Sequence, residues 1–515
     1  MGGYVRSGER VSPVAELSIR AARAASGFES LGIGPGDVVA VYLRNDFAFF
    51  EASVAAGLVG AYSTPVNWHN SPDEAAYIFS NSGAKAVVIH SDLYHAIARA
   101  IPEGVAVFAV ETPEEIISAY GLPRDAARLP EGVAVWEDWL AQFPPKTKGP
   151  DQSPGSMIYT SGTTGHPKGV RRAPPTAAQA AAAQGIGATV MGFMEWLDRL
   201  EDVVTVITGP MYHSAPNGYG LAAFMLGCNI ILEPRFDPEE LLAMIERYRV
   251  THLHMVPTMF VRLLKLPEDV KRKYDLSSLR FVVHAAAPCP VHVKQAMIEW
   301  WGPVINEYYG GTETSVVVFC NSEEWLKHPG TVGRALPSAT VCVLGENGEE
   351  LTQGATGEIF CRLTDIADFT YHGDDEKRRR AEKRGLITLG DVGYLDAEGY
   401  LYLCDRAKDM VISGGVNIYP AEIEAELHKM PGVADCAIFG IPDEEYGEQL
   451  CAVVQPQPGA SLTGADVSAF LRERVAGYKV PKRIEFRAEL PREDSGKIFK
   501  RKLREPFWEE AGRRI

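Results

Sequence analysis

Residues 159–169 read Tyr-Thr-Ser-Gly-Thr-Thr-Gly-His-Pro-Lys-Gly, with three glycines, four Ser or Thr residues and one lysine in eleven positions. Glycines let successive backbone N–H groups converge on an anion, and hydroxyls add further donors. Lys168 brings a positive charge able to reach the outer phosphates of a nucleotide. The run therefore reads as a loop that holds a polyphosphate. It is not a Walker loop, because Pro167 stands immediately before the lysine, where that motif has glycine. A flexible polar turn is the competing reading, since Gly, Ser, Thr and Pro all favour turns. The length of the run and the basic Arg171 and Arg172 behind it weigh for an anion.

Four further constellations carry chemistry. Asn306-Glu307-Tyr308-Tyr309-Gly310-Gly311-Thr312-Glu313 follows an apolar stretch. An aromatic ring beside glycines stacks on a base, a hydroxyl donates to a phosphate, and a carboxylate such as Glu313 is a hard oxygen ligand suited to Mg²⁺. Thr388-Leu389-Gly390-Asp391-Val392-Gly393 places an acid between glycines, where it can accept from both hydroxyls of a ribose; Asp405-Arg406 and Lys408-Asp409 come shortly after. Ser413-Gly414-Gly415-Val416-Asn417-Ile418-Tyr419-Pro420 would allow close approach of a narrow ligand. Ser495-Gly496-Lys497-Ile498 puts a lysine on a polar turn near the end of the chain. Taken singly, each of these is also compatible with an ordinary turn or a solvated side chain.

The elements that must position these residues alternate. Val38–Tyr42, Ala86–His90, Val203–Thr208, Asn229–Glu233, His252–Val256 and Arg280–His284 read as buried strands, and Phe47–Leu58 and Pro238–Arg247 as helices between them. Such alternation implies β-α-β units and parallel sheets. Residues 177–183 suit a helix after the phosphate loop, and the basic run 377–384 reads as a solvated helix face. Near residue 405 the pattern changes to short strands, a helix over Ala421–Met430, strands at Val433–Phe439 and Leu450–Val454, and a stripe of Val467, Phe470, Leu471 and Val475. The expected fold class is α/β: a large N-terminal domain over residues 1–406 and a small α+β domain over 407–515. No strand motif is visible before residue 15.

Composition narrows the classes. Hydrophobic residues make up 46% and charged residues 23% of the 515 residues. That is a globular balance, in a chain long enough for several domains. The net charge of −16 argues against nucleic-acid binding. The eight cysteines show no Cys-x-x-Cys pair, so neither a zinc ribbon nor a dithiol motif is expected, and a reduced, cytoplasmic protein is the reading. No signal-peptide pattern or membrane span is visible.

The five motifs, in their order, resemble those of the adenylate-forming enzymes: acyl-CoA synthetases, aryl-CoA ligases, luciferases and peptide-synthetase adenylation domains. The resemblance covers about residues 30–505 and implies stacked α/β subdomains followed by a mobile C-terminal lid, with ATP, Mg²⁺ and coenzyme A as cofactors and co-substrates. It implies that Thr160, Ser161, Gly162, Thr163, Thr164, Gly165 and Lys168 hold the β- and γ-phosphates. Tyr309 would stack on adenine, with the Ala285–Pro288 backbone, Ala286 included, on its other side. Thr312 would touch the α-phosphate, Glu313 would bind Mg²⁺, Asp391 and Arg406 would fix the ribose, and Lys497 would assist adenylation. Lys408 falls at the hinge, and Gly414 and Gly415 at the thiol tunnel. His213, Tyr308 and Gly311 fall at the acyl pocket.

The sequence runs out at Ile515, soon after Lys497, which disfavours a peptide-synthetase module, and the wording of the 413–420 segment is similar to that of acyl-CoA synthetases. The implied reaction is AMP-forming activation of a small-molecule carboxylic acid to its CoA thioester. The apolar run Ala222–Leu226 points to a hydrophobic acid, such as a medium- or long-chain fatty acid. An aryl acid and an acyl-AMP ligase serving a carrier protein are the alternatives. Tyr308 is bulkier than the small residue of many aryl-CoA ligases, whereas Gly311 is small where the family often has Met, Thr or Ala; one narrows the pocket and the other opens it. His252 and His254 alternate on one strand face and read as pocket wall, since two histidines do not make a metal site. Assembly as a homodimer is compatible with the resemblance.

Overall fold

The computed structural model describes residues 2–160, 167–406, 409–413, 416–443, 446–492 and 498–510, with the side chain of Arg406 outside the description. Short runs rich in Val and Ile, bounded by turn residues, become parallel strands. Asn229–Leu232, Val204–Ile207, His252–Met255, Phe281–His284 and Ile305–Gly311 lie side by side, all parallel. The chain then reverses into Ser315–Cys320, which starts an antiparallel extension through Gly333–Ala335, Tyr400–Arg406, Leu386–Leu395, Gly357–Leu363 and Ala339–Leu344. A second parallel sheet holds Tyr62–Pro65, Val38–Tyr42, Ala84–His90, Ala106–Val110 and Ala134–Val135. The helix Phe47–Leu58 is apolar on nearly every side, and it is buried where Phe50 stacks on Phe224 with ring centroids 4.8 Å apart. The helix Pro238–Tyr248 shows the expected one-sided stripe of Leu241, Leu242 and Ile245. Its start is fixed by Asp237, whose carboxylate accepts from the backbone of Glu239 and Glu240 at 3.0 Å.

The N-terminus departs from expectation. Tyr4–Ser7 and Arg10–Pro13 form a hairpin, and Val5 pairs with Ile230 on the free edge of the central sheet. Four-residue strands carry too little alternation to be read locally; pairing with Asn229–Leu232 supplies what the sequence does not show. The basic run also differs. The helix covers only Asp375–Arg380, and Glu382–Lys383 turns into a strand against Leu386–Ile387. Lys377 and Arg378 fold back onto the Tyr371 and Phe369 rings instead of facing solvent.

Tyr400–Arg406 pairs within the large sheet, whereas Val411–Ser413 pairs within a small one with Val416–Ile418 and residue 447. That small sheet continues through Gly447–Pro456, flanked by Val433–Asp443 and Arg483–Phe486. It has its own core, in which Ile423 and Leu427 of one helix and Val467 and Leu471 of another pack on Ile438 and Leu450. The molecule is thus mixed α/β, with a large N-terminal and a small C-terminal domain. Among the described residues, no helix is long and apolar enough to cross a membrane.

Candidate active site

The candidate site lies beyond the carboxyl ends of the central parallel strands, where open α/β sheets place their ligands. Its first part is a corner built on a hairpin. Ile158–Thr160 pairs with Lys168–Arg172, and Thr160 sits opposite Lys168, so the two described ends of the Gly/Ser/Thr-rich run are held together. Ser161, Gly162, Thr163, Thr164 and Gly165, expected to hold phosphate, lie outside the described residues. Lys168 Nζ meets Asp374 Oδ2 at 3.0 Å, and that contact holds the Asp374 carboxyl below its usual range. The hairpin continues to Phe369–Tyr371, whose Tyr371 hydroxyl donates to Glu313 Oε1 at 3.0 Å.

Arg172 closes this corner. Its guanidinium donates to the carbonyls of Ala367 at 2.7 Å, Thr312 at 3.1 Å and Glu313 at 2.6 Å. The arginine that reads as an anion-binding charge is committed to three backbone carbonyls, and it pins the Thr312–Glu313 turn to the phosphate hairpin. Burial pulls its pKa down, but a guanidinium stays charged. Thr312 Oγ1 in turn donates to Ser214 Oγ at 3.0 Å, which ties the turn to the residue after His213. Lys168, Thr312 and Glu313 are therefore gathered in one corner. Its donors are oxygens: one carboxylate flanked by hydroxyls. Such a set fits a hard divalent cation that draws its remaining ligands from water and phosphate.

The second part faces the antiparallel extension. The Tyr309 hydroxyl donates to Asp391 Oδ2 at 2.8 Å, and Asp391 is the register partner of Arg406. Gly310 is required here, because a Cβ would run into the Ser315 carbonyl oxygen at the bulge that follows Tyr309. Ala286 is held at φ 74°, in the segment just beyond the strand Phe281–His284. That conformation is uncommon for a residue with a side chain. Beneath Tyr309, Lys294 Nζ donates to Glu307 Oε2 at 2.6 Å, both side chains being buried. The sequence holds one clue to this pair, a lysine on the helix stripe otherwise made of Val293, Met297, Ile298 and Trp301.

The third part is a wall on the other face of the same strand. The Tyr308 hydroxyl and His254 Nε2 share a hydrogen bond of 3.0 Å, and the Tyr219 and His254 ring centroids are 5.5 Å apart. His252, on the same face, donates from Nε2 to the Gly192 carbonyl at 3.0 Å. Burial pulls both histidines down to about 4 and pushes the Tyr308 phenol up, so the wall is polar but uncharged at neutral pH. His213 stands at the N-cap of the helix Ser214–Leu226, where its ring lies 4.3 Å from that of Tyr212.

Two acyl-side expectations change. Ala222–Leu226 forms the far end of that helix; Phe224 stacks on Phe50 in the core and Met225 is 70% exposed. Their apolarity serves packing between sheets, not a pocket. Gly311 does not open the pocket either, since a Cβ there would lie 2.9 Å from both Leu389 methyl groups. Leu389 fills the room that the glycine leaves. Lys408, Gly414, Gly415 and Lys497, and the Arg406 side chain, lie outside the described residues.

The family model described as AMP-binding enzyme matches residues 7–368, and that of the AMP-binding enzyme C-terminal domain matches residues 422–497. The chain belongs to the AMP-binding enzyme family. It is an AMP-forming ligase of the adenylate-forming superfamily. Among its relatives, a feruloyl-CoA synthase of Amycolatopsis sp is 34% identical, the match covering 98% of this chain and 95% of that protein. The long-chain-fatty-acid–CoA ligase FadD13 of Mycobacterium tuberculosis is 31% identical, over 96% of this chain and 92% of that one. Among solved structures, ATP-bound MatB from Rhodopseudomonas palustris superposes with a TM-score of 0.82 at 27% identity, covering 98% of this chain and 96% of that chain. The corner that unites Lys168, Thr312 and Glu313 beside the Tyr309–Asp391 pair is the candidate site of that family's nucleotide chemistry.

Proposed function

We propose that the chain joins a hydrophobic carboxylic acid to coenzyme A at the expense of ATP, through an acyl-adenylate, releasing AMP and pyrophosphate. The observation that carries this reading is the convergence of Lys168, Thr312 and Glu313, tied together by Arg172, next to Tyr309 and Asp391. The acid's carboxylate attacks the α-phosphorus of ATP, and the bond to pyrophosphate breaks. Both reactants are anionic, so positioned cations relieve the repulsion between them. Lys168 orients the departing pyrophosphate, with Thr160, Ser161, Gly162, Thr163, Thr164 and Gly165 around it. Thr312 contacts the α-phosphate, Tyr309 and Ala286 flank the adenine, and Asp391 with Arg406 holds the ribose. Mg²⁺ at Glu313, when bound, neutralises phosphate charge.

Lys497 assists attack at the α-phosphorus. Residues 1–406 form the adenylating domain and 407–515 a mobile lid. Turning about Lys408 removes Lys497 and brings Gly414 and Gly415 to the thiol, which attacks the acyl carbonyl and expels AMP. The work is done in the cytoplasm. The acid binds between His213 and the Tyr308–His254 wall. A medium- or long-chain fatty acid is the first reading. An aryl acid is the second, favoured by the rings of Tyr219, His254 and Tyr308 at that wall.

Incubation with ATP, Mg²⁺, CoA and an acid panel should release AMP and pyrophosphate with a CoA thioester; ADP as the nucleotide product would contradict the reading. Lys497→Ala should lower adenylate formation by roughly 10²–10³-fold while sparing thioester formation from a supplied acyl-adenylate. Equal loss of both half-reactions would remove Lys497 from that role.

A further inference from the structure

The basic run 377–384 does not face solvent throughout, and one of its side chains enters the phosphate corner. Lys377 Nζ lies 4.5 Å from the centroid of the Tyr371 ring. That ring is the one whose hydroxyl donates to Glu313 at 3.0 Å. The Lys377 backbone N–H donates to Asp374 Oδ1 at 3.1 Å, while Lys168 takes the other oxygen, Oδ2, at 3.0 Å. Asp374 thus fixes both lysines, but its ion pair is with Lys168, and it reaches the Lys377 ammonium only at longer range. Neighbouring cations of the run are committed: Arg378 to Asp368 at 3.1 Å and Glu382 at 2.6 Å, and Arg380 to Glu376. Among the described residues Lys377 forms no ion pair, and its ammonium rests on an aromatic face. Burial pulls the Lys377 pKa down, Glu313 and Asp374 attract the ammonium, and Lys168 repels it, so it lies within electrostatic reach of all three.

An ammonium that makes no ion pair among the described residues, held on a ring beside Lys168 and Glu313, is arranged for an incoming anion. Lys168 is paired with Asp374 and Arg172 is spent on backbone carbonyls, so Lys377 is the corner cation that neither an ion pair nor a carbonyl engages among the described residues. We propose that Lys377 is a second pyrophosphate-binding ammonium, which works beside Lys168 and takes up charge on the leaving group as the acyl-adenylate forms. This rests on the ligase reading above and adds to it a residue that no motif marks. Tyr371 is then its positioning partner, because its ring carries the ammonium and its hydroxyl holds Glu313.

The test compares wild type, Lys377→Met, Lys377→Arg and the exposed control Arg379→Met. Calorimetric titration with inorganic pyrophosphate and Mg²⁺ needs no turnover. Lys377→Met should weaken pyrophosphate binding and raise KM for ATP by roughly 10-fold, the scale of one hydrogen bond to a charged group. KM for the acid should stay within twofold, Lys377→Arg should recover most of the loss, and Arg379→Met should match wild type. Pyrophosphate affinity and ATP KM within twofold of wild type in Lys377→Met would overturn the proposal. So would a parallel rise in the KM of acid and ATP, which marks a merely structural role, or a wild-type protein that does not bind pyrophosphate. If Lys377→Met loses its thermal transition, Lys377→Gln takes its place under the same criteria. Wild type that binds pyrophosphate but releases ADP would overturn the ligase reading and leave this binding site standing.

Discussion

The two faces of the strand Ile305–Gly311 carry different chemistries. Tyr309 and Glu307 point to charged partners, Asp391 at 2.8 Å and Lys294 at 2.6 Å. Tyr308, one residue away, points to neutral His254 at 3.0 Å. On the proposed reading, period-two alternation separates a region for the nucleotide from one for the acyl group. The charged side is held by ion pairs and by an arginine spent on backbone carbonyls; the neutral side stays neutral because burial forbids protonation. If the proposed roles hold, one strand couples a reaction common to all acids to a wall that can differ between acids, and substitutions should separate the two.

The largest effect after Lys497 is expected at Glu313. Glu313→Gln should lower kcat/KM for every acid by roughly 10²–10³-fold, with the ranking of acids unchanged; AMP release across the panel reads both. Tyr308→Phe removes the hydroxyl shared with His254 and leaves the ring. It should change the preference between two acids by about 10-fold, about 1.4 kcal/mol, at an unchanged KM for ATP.

The neutral wall also sets a pH signature. His252 and His254 are pulled down to about 4 in the folded protein. An unfolded histidine titrates at about 6.5. Between those values the unfolded chain takes up protons that the folded chain refuses, so stability falls as pH drops through that window. The melting temperature should decline from pH 7 to pH 5, and less steeply in His254→Asn; equal slopes would mean that His254 is not buried neutral. The smallest effect is at Gly311. Gly311→Ala presses on Leu389 and should cost about 1 kcal/mol, the low end for overpacking, because a side-chain end can shift. Adding Leu389→Ala should relieve the strain in a denaturant titration.

The charged face is the more legible in the sequence. Glycines, hydroxyls and single charges in fixed order mark Thr160, Lys168, Tyr309, Thr312, Glu313 and Asp391 without knowledge of the fold. Apolar runs such as Val38–Tyr42 and Phe47–Leu58 become elements at the bounds their patterns suggest. What escapes depends on partners distant in the chain. The N-terminal hairpin exists by pairing with Asn229–Leu232, and Arg172 is defined by carbonyls 140 and 141 residues away. Ala222–Leu226 misleads because an apolar helix end looks the same whether it lines a pocket or packs on Phe50. Lys377 is hidden in a run whose composition resembles a solvated face.

The most direct test is the ratio of kcat/KM for a fatty acid and an aryl acid, measured by AMP release in wild type, Glu313→Gln and Tyr308→Phe. The two-face account predicts that Glu313→Gln lowers both values and keeps their ratio, while Tyr308→Phe changes the ratio at an unchanged KM for ATP. A ratio altered by Glu313→Gln, or untouched by Tyr308→Phe, would contradict it.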